Sequence, residues 1–155
     1  MYLKSPVSGF FIGVNLMKTK HYLTLDDAEI LVDAAIKYAQ EHQFKVSIAI
    51  VDDAGALLLM KRMDGASALT AGLSLEKAKA SALSRRPTKA FEDLIRNGQM
   101  GFLTVDTFKG QLEGGEPILY LNDLVGAIGI SGVKSYQDAE IAQYAIAQLL
   151  AQIES

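Results

Sequence analysis

The chain has 155 residues, half of them hydrophobic, with no cysteine, two histidines and a formal net charge of −3. That size fits one domain with a core of its own. The missing thiols exclude disulfides, thiolate zinc sites and cysteine nucleophiles, and the mild acidity argues against nucleic-acid recognition through a broad basic surface.

Residues 1–17, MYLKSPVSGFFIGVNLM, are loosely apolar but broken by Gly9, Gly13 and Asn15. The stretch is too short to span a membrane and no small-x-small cleavage site follows it. It reads as an upstream tail or an over-long start before Met17, or as a short added strand or assembly arm. Residues 18–155 read as a single domain. The expected location is the cytoplasm, with no membrane partner.

Thr24-Leu25-Asp26-Asp27 has the form of a helix start, with Thr24 as cap and Asp27 three residues on. Ala28, Leu31, Val32, Ala35, Ile36 and Ala39 then recur at helical spacing, predicting an amphipathic helix to about His42. Val46 to Val51 and Ala56 to Arg62 read as two strands joined by the turn Asp52-Asp53-Ala54-Gly55. Asp-Asp-x-Gly after a strand is ordinary turn chemistry, with a metal site as the weaker reading. A polar loop, Arg62 to Ser67, leads to a helix over about Leu69 to Ser84. Pro87 breaks it, and Thr88 is placed to cap a short helix over Lys89 to Arg96, closed by Asn97-Gly98. Gln99 to Gly110 reads as loop with a short strand near Leu103 to Val105.

The stretch LEGGEPILYLNDLVGAIGISG, residues 112–132, predicts strands at Ile118 to Leu121 and Leu124 to Ile130 around a two-residue Asn122-Asp123 turn. Its glycines do not make a dinucleotide fingerprint, because Gly126 and Gly129 fall inside the strand and the G-x-G-x-x-G spacing is absent. Being an odd number of residues apart, they open opposite faces of the sheet. One is expected to admit a helix and the other a ligand or a neighbouring subunit. Ser135 to Asp138 resembles a capping box, and Ala142, Ala145, Ile146, Leu149, Leu150 and Ile153 mark a last helix. The order α, β-hairpin, helices, β-hairpin, α predicts an α+β fold with a mainly antiparallel sheet.

Six of these segments resemble the GlcG/HbpS family, the haem-degrading-type domains also found as the C-terminal part of PduO proteins. They are LTLDDAEILVDAAI, IAIVDDAGALLLMKRMDGA, SLEKAKASA, GGEPI, LVGAIGISG and YQDAEIAQ, spread from Leu23 to the C-terminus. The resemblance implies a profilin-like, five-stranded sheet flanked by helices. It implies self-association, dimers building to tetramers or octamers. It also makes haem the first candidate ligand, in a degrading or sensing role. The alternative is an enzyme or accessory factor acting on a small hydroxy acid, aldehyde or diol, and whether any reaction is catalysed stays open. A structural assembly factor is the third reading.

The family's RMDGA motif falls on Arg62, Asp64 and Gly65, and its KA position on Lys77. Arg62 can fork onto a carboxylate, a haem propionate or a small organic acid, or pair with Asp64 to fix its loop. Lys77 would point into a cleft built with the RMDGA loop and with Gly114, Gly115 and Pro117 of the GGEPI turn, or sit on a solvated helix face. By resemblance His21 is the candidate axial haem ligand, imidazole being suited to iron; the other reading is an exposed histidine. His42 and Asp138 read as helix-terminus residues. Met60 and Met63 read as core and loop filler.

Overall fold

The computed structural model describes residues 17–154; the tail, strand or arm expected over the first sixteen residues lies outside the described region. Helix α1 spans Leu25–Glu41. Its capping box forms as the sequence predicts: the Thr24 hydroxyl accepts from the Asp27 N–H at 3.2 Å, and the Asp27 carboxylate accepts from the Thr24 N–H at 2.8 Å. Strands β1, Ser47–Asp52, and β2, Leu57–Arg62, form the first hairpin. Asp52 Oδ1 closes its turn by accepting from the N–H groups of Ala54 at 2.9 Å and Ala56 at 2.8 Å. No group of three or more metal-ligating side chains occurs there or elsewhere among the described residues.

Helix α2, Ala68–Ser84, and helix α3, Lys89–Arg96, follow. The strand expected near Leu103 to Val105 is instead a 3-10 turn, Met100–Thr104. Its Phe102 ring packs 5.7 Å from Phe91, and Phe91 packs 5.3 Å from Phe108. A local aromatic cluster, with no strand beside it to pair with, takes these residues out of the sheet. Strands β3, Gly115–Tyr120, and β4, Asp123–Ser131, complete the sheet, and helix α4, Ser135–Ile153, ends the chain. Tyr120 pairs with Asp123, so the turn residues are Leu121 and Asn122, both left-handed at φ 47° and 68°, rather than Asn122-Asp123. That is the primed geometry that matches strand twist.

All pairings are antiparallel, in the order β2-β1-β4-β3. The architecture is α+β, with four strands among the described residues where five were expected. The two sheet faces differ in residue size. Ile48, Ile50, Ile118, Ile128 and Ile130 pack under α1 and α4. Ala49, Val51 and Ala127 meet Ala78 and Ala82 of α2 on the other face. Small residues let the α2 backbone settle directly onto the sheet. Gly129 admits α2, since a Cβ there would lie 2.0 Å from the Ser74 carbonyl oxygen. Gly126 admits the Leu23 side chain on the opposite face, so neither glycine opens onto a ligand. No helix among the described residues is long and apolar enough to cross a membrane.

Candidate functional site

Lys77 lies in the interior, 2% exposed. Its ammonium donates to Asp138 Oδ2 at 2.8 Å and to the Ile130 carbonyl at 2.9 Å. Asp138 is therefore the counter-charge of a buried lysine rather than part of the α4 cap. The cap falls one residue earlier than expected, with the Lys134 N–H donating to Gln137 Oε1 at 3.2 Å. Asp138 Oδ1 accepts from the Val133 N–H at 3.2 Å. Burial pushes the Asp138 carboxyl up from its usual range, against the opposing pull of Lys77. Gly114, at φ +120°, closes this nest, because a Cβ there would sit 2.7 Å from Asp138 Cβ and 2.8 Å from Lys77 Nζ. Gly115 packs on the Lys77 carbonyl, and its N–H donates to Thr88 Oγ1 at 2.9 Å.

Lys77, Gly114 and Gly115 thus come together, with Pro117 two residues along the same edge strand. Arg62, Asp64 and Gly65 do not join them. β2 and β3 are opposite edges of the sheet, three strand spacings or about 14 Å apart. The loop enters α2 at Ser67, ten helical residues or about 15 Å before Lys77. The expected single cleft of RMDGA loop, Lys77 and GGEPI turn is therefore not formed within one chain. Arg62 and Asp64 are both exposed.

His21 lies at the other end of the sheet, where it lines a cleft of about 310 Å³. The cleft's apolar wall comes from Leu23, Ile118, Val125, Leu149 and Ile153. The imidazole meets the Tyr120 ring edge-on at 4.9 Å, and its Nδ1 lies 3.5 Å from Asp123 Oδ2. Lys20, on the same rim, pairs with Asp53 at 2.6 Å. Neither Tyr120 nor Asp123 stands out in the sequence, where Tyr120 reads as a strand residue and Asp123 as half of the two-residue turn. The available signal was Gly126: a missing Cβ inside β4 marks where the segment before α1 crosses the sheet, and that crossing brings His21 to the hairpin.

Glu116 on β3 is also buried, and it accepts from Gln143 Nε2 of α4 at 3.3 Å. Burial raises its carboxyl from 4.5 to about 7. A carboxyl raised in the folded state binds its proton more tightly there than in the unfolded chain, so stability falls as pH rises from about 4.5 to about 7. Glu116→Gln is expected to flatten that part of a thermal-denaturation pH profile. An unchanged slope would mean that Glu116 is ionised without penalty.

The family model described as haem degrading protein HbpS-like matches residues 23–147. The chain belongs to the HbpS-like family. Protein GlcG of Escherichia coli K12 is 41% identical over 115 residues, 74% of this chain and 85% of that one. The crystal structure of Klebsiella pneumoniae protein ORFY matches with a TM-score of 0.83 at 28% identity, covering 88% of this chain and 97% of that one. The crystal structure of a PduOC–haem complex matches with a TM-score of 0.73 at 29% identity, covering 83% and 95%. The resemblance read from the six segments is confirmed, and the HbpS-like match includes every element from α1 through most of α4.

Proposed function

We propose that this HbpS-like chain binds haem, with the cleft at His21 as the site. The observation that carries the reading is an exposed imidazole on the rim of an apolar cleft, in a chain whose structural relative is a haem complex. The residues fit the group. The aliphatic wall suits the porphyrin face, and His21 Nε2 makes no hydrogen bond among the described residues. Asp123 beside Nδ1 would orient the ring and strengthen Nε2 as a donor to iron. Lys20 is the nearest cation for a propionate. Bound haem supplies the redox-active iron on which a sensing or degrading role would rest.

The cleft's volume is at the lower end for ligand sites, so a second copy covering the open side of the ligand belongs to this reading. We place the protein in the cytoplasm as a homo-oligomer, a dimer building to a tetramer or octamer, on a five-stranded, profilin-like domain. Arg62, Asp64 and Gly65 would reach the haem from such a second copy. Lys77, Gly114, Gly115 and Pro117 would act by holding the frame.

Haem titration followed by the Soret band, with His21→Ala alongside wild type, tests the proposal. A saturable, stoichiometric shift is expected, weakened roughly tenfold or more in the variant, which is a loss of about 1.4 kcal/mol or more. Equal titrations would remove His21 as the ligand. No saturable shift in wild type would sink the haem reading and favour a small hydroxy acid, aldehyde or diol.

A further inference from the structure

The first hairpin turn carries two aspartates and uses one. The Asp52 carboxylate accepts from the Ala54 and Ala56 N–H groups, and its backbone bonds to Gly55 and Ala56. Asp53 makes none of these bonds. Its carboxylate has a single partner among the described residues, the Lys20 ammonium at 2.6 Å, 33 positions back in the chain. The Lys20 side chain is 63% exposed. An ion pair so open to water contributes little, so Lys20 can leave Asp53 for another anion at small cost.

The segment that carries Lys20 lies across the end of the sheet. Asp52 of β1 stands opposite Gly126 of β4 in an antiparallel pairing, which puts both hairpin turns at this end. Leu23 fills the notch at Gly126, where a Cβ would lie 2.4 Å from Leu23 Cδ1. His21 Nδ1 lies 3.5 Å from Asp123 at the second hairpin, and Lys20 reaches Asp53 at the first. Leu23 and His21 thus anchor the segment beside Lys20, whose long stem is free to turn. Lys20 lines the His21 cleft, and Asp53 does not. No other lysine or arginine among the described residues lines it. Of the charged groups around Lys20, Asp27 is taken up by the Thr24 N–H and hydroxyl, and Asp123 faces His21.

We propose that Asp53 is a specificity-determining residue, an internal competitor that holds Lys20 until a carboxylate on a flat apolar ligand takes its place. Resting on the reading of the His21 cleft as the ligand site, this assigns the recognition of the ligand's carboxylate to one exchangeable lysine. Asp53 sets how strongly that carboxylate is preferred over a neutral group, without touching the ligand itself.

The test is fluorescence titration of the full chain with 1-pyrenebutyrate and with 1-pyrenebutanol, which share the flat body and differ in the charged end. The readout is the ratio of the two affinities. Wild type is expected to favour the butyrate. In Asp53→Asn the ratio is expected to rise about twofold to fivefold, the range that releasing an exposed ion pair allows. Asparagine suits a turn, and Asp52 still closes this one. In Lys20→Gln the ratio is expected to fall to about one, and to stay there in Lys20→Gln/Asp53→Asn, a coupling that the double-mutant cycle isolates. A ratio unchanged by Asp53→Asn would overturn the proposal. So would an equal rise in the Lys20→Gln background, which would mark a general loss of negative charge, or no binding of pyrenebutyrate. Neither probe carries iron, so these outcomes are read apart from the Soret titration: a haem shift lost in His21→Ala beside equal binding of the two probes would keep the haem reading and remove the role of Asp53.

Discussion

Asp138→Asn is expected to destabilise the fold by about 3 kcal/mol, the lower part of the range for breaking a buried ion pair. The amide keeps the shape of the carboxylate, but its one oxygen can accept from only one of the two donors, the Lys77 ammonium now at Oδ2 or the Val133 N–H now at Oδ1. What it removes is the charge opposite an ammonium that is 2% exposed. That uncompensated charge costs more than the pair's own attraction contributes. The raised Asp138 carboxyl points the same way, because burial there already outweighs the pull of Lys77. The double variant Lys77→Met/Asp138→Asn is therefore expected to lie closer to wild type than Asp138→Asn alone, a coupling that a double-mutant cycle isolates. Urea denaturation at neutral pH measures all the variants. A loss below about 1 kcal/mol in Asp138→Asn would show that water reaches the pair, as at exposed salt bridges.

The pair also explains what the sequence could and could not disclose. Lys77 and Asp138 are 61 positions apart, on helices lying on opposite faces of the sheet. No local pattern links them. Lys77 sits in an Ala-rich helix whose charges read equally well as a solvated face, and Asp138 sits where helix starts favour acids. Elements set by short-range chemistry were legible: the Thr24 capping box and the Asp52 turn have causes within a few residues, and strand alternation alone puts Gly126 and Gly129 on opposite faces, though what fills them comes from far along the chain. The turn at Leu121-Asn122 was misplaced by one residue, because Asn-Asp is the better turn dipeptide while register decides the outcome. The candidate site was least legible. His21 was singled out by resemblance, but its neighbours Tyr120 and Asp123 come from a hairpin about a hundred positions away. The RMDGA loop and GGEPI turn share one expected cleft only through motifs matched by resemblance. Strand order, which places them on opposite edges, follows from long-range pairing that composition does not encode.

The same one-atom change made at two glycines is expected to have opposite effects, and the contrast tests how α2 is seated. Gly129→Ala puts a Cβ 2.0 Å from the Ser74 carbonyl oxygen and 2.6 Å from the Ala78 nitrogen. Both are backbone atoms of α2, so no side chain can swing away, and the helix must lift from the sheet. The expected loss is about 3 kcal/mol, at the upper end for overpacking. Gly72 lies within α2 itself, exposed, with nothing within 4 Å of an added Cβ. Gly72→Ala is expected to stabilise by roughly 0.5–1 kcal/mol, from helix propensity alone. Denaturant midpoints of the two variants decide the matter. If Gly129→Ala is tolerated, α2 does not rest on β4 at Ser74, and the reach of Lys77 to Ile130 and Asp138 loses its basis. If Gly129→Ala fails while Gly72→Ala gains, the close approach of helix to sheet is what carries Lys77 into the interior. That approach in turn fixes Gly114 and Gly115 against it. The GGEPI turn is then a seam between α2 and the sheet edge, and the His21 cleft at the far end of β3 and β4 is free to serve a ligand without disturbing it.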